Sequence, residues 1–256
     1  MSGTVLRALV VGLTFVAGCA TTVPLQTASV VDDGVTRVGA EANAALFCGT
    51  PSALLSCALY PEGLALPEVR GSARRGIGDG VDVGAALAAR VALYAVDRPV
   101  GGLFTFDVKR ELWSRPLPWG AWGERLLVSA SPLLAVGAAG AVGLAPTVEA
   151  EFGVPLHVGL VQPGGEWVTS LRVSQHVLLP HLGADLPTPY RVIATTRLGF
   201  AAGYVFRSGL GIQLGYQSIA FGSAALSRAD SVAVDVTPAF TSGAWQLSVG
   251  WLWDLH

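Results

Sequence analysis

Apolar and polar residues alternate with a period of two along most of the chain after residue 35. Successive side chains of a strand point to opposite faces, so such a pattern predicts β-strands with one apolar and one polar face. The alternating runs lie at about residues 35–47, 80–96, 102–113, 147–158, 170–176, 190–207, 210–217, 232–236 and 245–254. The sequence therefore predicts an all-β protein.

The polar face distinguishes a membrane sheet from a soluble one. Charged residues make up only 13% of the chain, about half the usual share, and Lys109 is the only lysine. The polar positions hold mainly Gly, Ser, Thr, Gln and charges of both signs, whereas strands that face water carry many exposed charges. A sheet that crosses lipid must close on itself, so we predict an antiparallel closed transmembrane β-barrel over residues 35–256.

Turn residues give the number of strands. Glycine-rich turns are expected at residues 78–80, 163–165, 207–209 and 241–243, and longer connections at about 48–66, 114–123, 179–189 and 222–230. Short turns on one side and longer loops on the other are typical of outer-membrane barrels, which normally have an even number of strands. We predict ten strands, within a range of about eight to twelve.

Residues 126–145 contain no charge and are long enough to form a transmembrane helix. We favour two strands separated by a small-residue loop at residues 137–143, because an inner-membrane helix would leave the alternation on both sides unexplained.

The start of the chain resembles an export signal. Arg7 precedes an apolar run over residues 8–18 that is too short to span a bilayer, as in a signal peptide of residues 1–18. Val16-Ala17-Gly18-Cys19 resembles the bacterial lipobox, which implies cleavage before Cys19 and acylation of that cysteine. Residues 19–34 would then form a lipidated linker. An ordinary cleaved signal and a short membrane helix are the alternatives.

The two remaining thiols, Cys48 and Cys57, form an even pair in an oxidising compartment, which predicts a disulfide. A metal site is disfavoured because no histidine lies near them, and no cofactor is expected.

The charges on the polar face are expected to fill the lumen as a network of ion pairs, since an unpaired charge in a narrow interior is costly. These residues are Arg37, Glu41, Asp82, Arg90, Asp107, Lys109, Glu111, Glu149, Glu151, Arg172, Arg191, Arg197, Asp235 and Asp254. A permanently open channel is the alternative.

An enzyme would need a nucleophile and a base. His157 and His176 point inward by parity, and Ser170 and Ser174 flank the second histidine, which is compatible with a serine–histidine hydrolase. No recognised hydrolase motif accompanies them, so ordinary lumen residues are the simpler interpretation.

Tryptophans fall where an interfacial aromatic belt requires them, at positions 113, 119, 122, 167, 251 and 253. The last run, residues 245–256, resembles the closing strand recognised by the barrel-assembly machinery, although it ends on His256 rather than on an aromatic residue.

The runs "RRGIGDGVDVGAAL" and "FTFDVKREL" resemble those of bacterial outer-membrane β-barrel lipoproteins. The resemblance implies a lipid-anchored, membrane-spanning protein of the outer membrane, in contact with its lipid and with other envelope proteins. We expect a structural or scaffold component of a cell-envelope assembly with a largely plugged lumen. The alternatives are a narrow pore for small solutes and a lipid-modifying enzyme. A net charge of −2 without a basic run disfavours nucleic acid as a partner.

Overall fold

A computed structural model describes residues 23–48, 65–91, 100–118, 123–140, 147–180, 191–226, 232–233 and 240–256. The described residues contain twelve strands. These are β1 (Thr36–Cys48), β2 (Ala65–Gly78), β3 (Val81–Val91), β4 (Val100–Pro116), β5 (Arg125–Ala130), β6 (Leu133–Gly140), β7 (Thr147–Gln162), β8 (Gly165–Pro180), β9 (Arg191–Phe206), β10 (Leu210–Leu226), β11 (Val232–Ala233) and β12 (Phe240–Leu255).

The strands form a closed antiparallel barrel. Successive strands of the barrel wall pair with each other, and β12 pairs with β1 from Thr36↔Leu255 to Cys48↔Gly243. β5 and β6 share one position, since both pair with β4 and β7, and the two-residue β11 pairs with β10 alone. The barrel wall therefore has ten strands, which confirms the predicted fold and strand number.

The register around the barrel fixes the tilt of its strands. Following paired residues from Thr36 through each strand in turn leads back to Cys48 on the same strand, a stagger of about 12 residues. A ten-stranded barrel with this stagger has strands tilted by about 40° and an interior that side chains can fill.

Alternation along each strand separates an apolar outside from a polar inside. On β12, Leu247 is 50% exposed, whereas the next residue, Ser248, is fully buried. The exposed large hydrophobic residues lie on the outward faces of β2, β3, β4, β6, β7, β8, β9, β10 and β12, and the buried charged residues point inward. This distribution is the reverse of that in a soluble protein and is the one that lipid requires.

The two ends of the barrel differ. The turns at Gly78–Gly80, 163–164 and 207–209 are tight, and Gly78, Gly80 and Gly209 have φ values of +92°, +67° and +91°. The first residue of β1 and the last residue of β12 lie at the same end of the barrel. We call this end the short-turn end because of its tight turns.

The turn predicted at residues 241–243 is wrong. These residues lie within β12, where Gly243 pairs with Cys48 on one side and with Ser218 on the other. Small residues here occupy ladder positions rather than a hairpin. The connection predicted from residue 222 begins later, because β10 continues to Leu226.

The charge-free stretch at residues 126–145 forms strand over its described part. The strand is interrupted at Ser131–Pro132, since proline cannot donate a ladder hydrogen bond, but the carbonyl of Pro132 still accepts from the Val108 amide at 3.1 Å. The described stretch is β5 followed by β6, which continues past the predicted break at Gly137 to Gly140. Among the described residues there is no helix of sufficient length and apolarity to span a membrane.

Aromatic side chains form a girdle outside the short-turn end. Trp113, Trp167, Trp251 and Trp253 are between 38% and 53% exposed, and Tyr204 contacts Trp167 edge to face at 5.0 Å. Trp119 and Trp122 lie outside the described residues. An aromatic girdle at this level is the pattern expected at a membrane–water interface.

Candidate functional site

The lumen of the barrel contains a segment of its own chain. Residues 23–34, which we call the plug segment, precede β1. Residues 23–31 lie inside the barrel, with Val23, Leu25, Ala28 and Val31 all buried, whereas residues 32–34 are exposed. The sequence assigned this region to the linker of residues 19–34, so from residue 23 onward the structure gives it a different place.

The plug segment enters the lumen through a reversal at the short-turn end. The Val35 amide donates to the Asp32 carbonyl at 3.1 Å, and the Gly34 amide donates to the Gly76 carbonyl of β2 at 3.2 Å. A Cβ atom at Gly76 would lie 2.0 Å from the Asp32 carbonyl oxygen, so the close approach of the two backbones requires a glycine here.

Two inward carboxylates bind residues 28–31, the part of the plug segment that is nearer the short-turn end. Glu166 of β8 accepts from the amides of Ala28 and Ser29 at 2.6 and 3.1 Å, and from the Ser29 hydroxyl at 2.6 Å. Asp82 of β3 accepts from the Val31 amide at 2.9 Å. Backbone amides without a sheet partner are thus paired with carboxylates, which gives short, charge-assisted bonds.

The carbonyls of the same stretch are also paired. Lys109 Nζ of β4 donates to the carbonyls of Thr27 and Ser29, each at 3.0 Å. The Ser129 hydroxyl of β5 donates to the Ala28 carbonyl at 2.7 Å. The wall of the lumen therefore replaces the water that an extended chain would otherwise bind.

Residues 23–25, the part of the plug segment that is farther from the short-turn end, are bound in the same way. Glu41 of β1 accepts from the Leu25 amide at 2.8 Å. Gln246 of β12 accepts from the Val23 amide at 2.9 Å, and the amide groups of Gln246 and Gln213 donate to the Val23 carbonyl at 3.1 and 3.0 Å. Val23 thus lies deep in the barrel, beside a residue of β12 that is far from the short-turn end.

Inward glycines provide the space for the side chains of the plug segment. A Cβ atom at Gly211 would lie 2.5 Å from Leu25 Cδ2, and one at Gly159 would lie 2.7 Å from the Ala28 Cβ. Ala28 also packs with buried Leu127 and Val168. A larger inward residue at Gly159 would press on Ala28 of the segment, whereas one at Gly211 would require the end of the Leu25 side chain to move.

Beyond Val23 the lumen is filled by ion pairs. Glu151 of β7 bonds to Arg172 of β8, and its other oxygen lies 3.2 Å from Arg197 Nη1 of β9. On the opposite wall, Arg70 of β2 lies 2.7 Å from Glu68. All five side chains are buried, so each charge depends on its partners for the solvation that it has lost.

A second group of charges surrounds the base of the plug segment. Arg74 of β2 bonds to both Asp82 and Asp107, and Lys109 Nζ lies 3.7 Å from Asp82. Arg37 pairs with Asp254 at 2.6 Å across the β1–β12 seam. Asp82 therefore joins the charge network of the wall to the Val31 amide of the plug segment.

The two histidines form separate contacts. His157 Nε2 lies 2.8 Å from the Ser131 hydroxyl and Nδ1 lies 2.8 Å from the Ser170 hydroxyl, so both ring nitrogens bond to serines rather than one to a carboxylate, as a triad requires. His176 Nε2 bonds to Glu149 at 2.9 Å. The structure thus places Ser170 on His157, and not on the histidine that the sequence analysis paired it with.

The remaining predicted site residues are placed as follows. Glu111 is half-buried beside the bulge of β4 and its amide donates to the Gly80 carbonyl at 2.8 Å. The side chains of Arg90, Arg191 and Cys48, and all of Cys19, Cys57 and Asp235, lie outside the described residues, so the predicted disulfide and lipidation stay predictions. Among the described residues there is no group of three or more His, Cys, Asp or Glu placed to hold a metal ion.

Sequence reasoning missed the contribution of β2. Its inward residues Glu68, Arg70 and Arg74 are central to the lumen network, but its outward face contains Gly71 and Arg75, which weaken the apolar alternation. Glu166 was missed because it lies at the start of β8, next to a turn. The alternation of inward and outward residues in β3, extended backwards through the turn at residues 78–80, is the signal that would have identified β2.

No protein-family model matches the sequence, and no curated protein matches it. Among solved structures, the chain is similar to the outer membrane protease OmpT from Escherichia coli, with 9% identity, a TM-score of 0.38, and coverage of 90% of this chain and 99% of that one. It is also similar to Neisserial surface protein A, with 12% identity, a TM-score of 0.30, and coverage of 86% and 99%. Ail, the attachment invasion locus protein of Yersinia pestis, has 8% identity, a TM-score of 0.25, and coverage of 87% and 100%.

Proposed function

We propose that the protein is an outer-membrane β-barrel whose lumen is closed by its own N-terminal segment, and that it is a structural or scaffold component of a cell-envelope assembly. The observation that carries the proposal is the plug segment, which bonds to inward side chains of β1, β3, β4, β5, β8, β10 and β12. A segment fixed to so many strands supports a closed state rather than a passage for solutes.

The outward surface supports the membrane placement. Leu87, Phe152 and Leu214 are 65%, 60% and 54% exposed on three different strands, and apolar residues of this kind continue around the barrel. Apolar side chains contribute about 25 cal/mol per Å² when they leave water, so a surface of this kind is stabilised by lipid.

Lipidation of Cys19 is also part of the proposal, on the strength of the sequence around that residue. The position of Val23 sets a condition on it. Cys19 precedes Val23 by four residues, which span at most ~14 Å, whereas Gln246 is nine residues, or ~30 Å of strand, from the end of β12. An acylated Cys19 in the leaflet at the short-turn end therefore requires the plug segment to leave the lumen. We propose that the acyl-anchored and plugged forms are alternatives.

Conductance across a planar lipid bilayer tests the closed lumen. Cys19→Ala protein, which cannot be acylated and therefore keeps the plug segment in the lumen, is expected to give no steady conductance steps, while its heat-modifiable gel mobility shows that it is a folded barrel. Steady steps from Cys19→Ala protein would contradict the proposal and favour the narrow pore.

Chemical cross-linking in whole cells tests the scaffold role. We expect the barrel to be recovered in one defined complex with other envelope proteins. Recovery of the barrel only as a single chain, under conditions that cross-link a known envelope complex, would argue against a scaffold.

A further inference from the structure

In the strands that the structure describes, the outward face of the barrel carries charge on one side only. Arg75, Arg110 and Arg115 are the charged residues that point away from the lumen in the described strands, and all three are exposed. Their register partners Val83, Val81 and Leu126 belong to the outward face, which fixes the direction of the arginines because paired residues share a face. We call these three residues the arginine face.

The arginine face lies at the short-turn end. Arg110 pairs with Val81, the first residue of β3, and Arg75 is close to Gly78, the last residue of β2. A charged side chain on the lipid face costs ~2–4 kcal/mol at the middle of a bilayer but only ~0–1 kcal/mol near the interface. These arginines are therefore tolerated at the level of the lipid headgroups, beside the aromatic girdle.

Arg75 and Arg110 flank one strand. They lie on β2 and β4 with β3 between them and their β3 partners are two residues apart, so their backbones are about 12 Å apart, and both long side chains can converge between Val81 and Val83. Arg75 Nη1 bonds to the Thr36 hydroxyl at 3.5 Å, which is a neutral partner. Outward carboxylates are missing from all the described strands, so no acid of the lipid-facing surface described here competes for these guanidinium groups.

Apolar side chains complete the surface. Ile77 and Leu112 are 56% and 57% exposed on the same two strands as the arginines, and Trp113 is 45% exposed next to Leu112. A ligand that fits this surface has a phosphate for the guanidinium forks and hydrocarbon chains for the residues beside them.

We propose that the arginine face binds an anionic phospholipid of the leaflet at the short-turn end, through its phosphate. The inference rests on the membrane placement proposed above. The arginine face would make one sector of the barrel selective for negatively charged lipid, since juxtamembrane arginines and anionic headgroups attract each other.

Native mass spectrometry of the detergent-solubilised full chain tests the proposal, with phosphatidylglycerol and phosphatidylcholine of identical acyl chains as probes. The wild type is expected to retain phosphatidylglycerol at least fivefold better. R75Q/R110Q should reduce this preference to near unity. R207Q is the matched control, because it removes an exposed arginine from the β9–β10 turn at the same end and should keep the preference.

Equal retention of the two lipids by the wild type would overturn the proposal, even if the variants did not fold. An equal loss of preference in R207Q would also overturn it, because the effect would then follow total charge. Failure of the membrane placement has a different signature, since the chain would stay in solution without detergent.

Discussion

The Glu166 carboxylate accepts from both the amide and the hydroxyl of Ser29, at 3.1 and 2.6 Å, although 137 positions separate the two residues in the chain. Glu166 is buried, and its carboxylate also accepts from the Ala28 amide of the plug segment. Since a buried carboxylate is costly without donors, the barrel wall and the plug segment stabilise each other.

Replacing Glu166 by alanine is expected to loosen the base of the plug segment. Hydrogen bonds to a charged group contribute ~1.5–3 kcal/mol each, so the opening equilibrium at Ala28 and Ser29 should rise by at least about tenfold. Hydrogen exchange of these two amides measures the change. Glu124→Ala is the matched control, because Glu124 is an exposed acid at the same mouth of the barrel. Unchanged exchange in Glu166→Ala would contradict the assigned contacts.

Removing Glu151 is expected to destabilise the whole barrel. Both Arg172 and Arg197 would lose a buried partner, and breaking a buried pair by removing one member typically costs ~3–5 kcal/mol. Glu151→Ala should lower the temperature at which the folded band is lost in a heat-modifiability gel. Gln175→Ala is the control. It removes a hydrogen bond between the outward, exposed side chain of Gln175 on β8 and Thr196 on β9, and it should leave that temperature nearly unchanged.

Arginine substitutions at two depths test which residues face lipid. Leu214 and Leu255 are 54% and 53% exposed, but Leu214 lies within β10 whereas Leu255 ends β12 at the short-turn end. Leu214→Arg should lower the free energy of unfolding in lipid vesicles by ~2–4 kcal/mol, and Leu255→Arg by ~0–1 kcal/mol. Equal effects at the two positions would mean that the outward face does not cross a bilayer.

The sequence predicts the barrel well because lipid imposes a strict rule on every strand. Outward apolar residues such as Leu247 and Val249 can be recognised one by one, and the need for closure follows from the requirement that backbone groups be paired. The glycines at residues 78–80 and 207–209 likewise mark turns, because they adopt positive φ values.

The plug segment could not be predicted from the same rule. Its contacts to the wall are made largely by backbone amides and carbonyls, which every sequence possesses, and its side chains occupy spaces defined by distant glycines such as Gly211. The stretch "VPLQTASVVDD" has neither a regular alternation nor a charge run, so it has the composition of a linker. Only the closed barrel brings its partners together.

The position of the plug segment is tested most directly by cysteine cross-linking in the membrane-embedded protein. In a chain with Cys19, Cys48 and Cys57 replaced by alanine, Leu25→Cys combined with Gly211→Cys is expected to form a disulfide on mild oxidation, since a Cβ atom at Gly211 faces Leu25. Leu25→Cys combined with Ile212→Cys should not, because Ile212 is 44% exposed on the outward face. Absence of the first cross-link, or equal formation of both, would contradict a lumen closed by its own N-terminal segment.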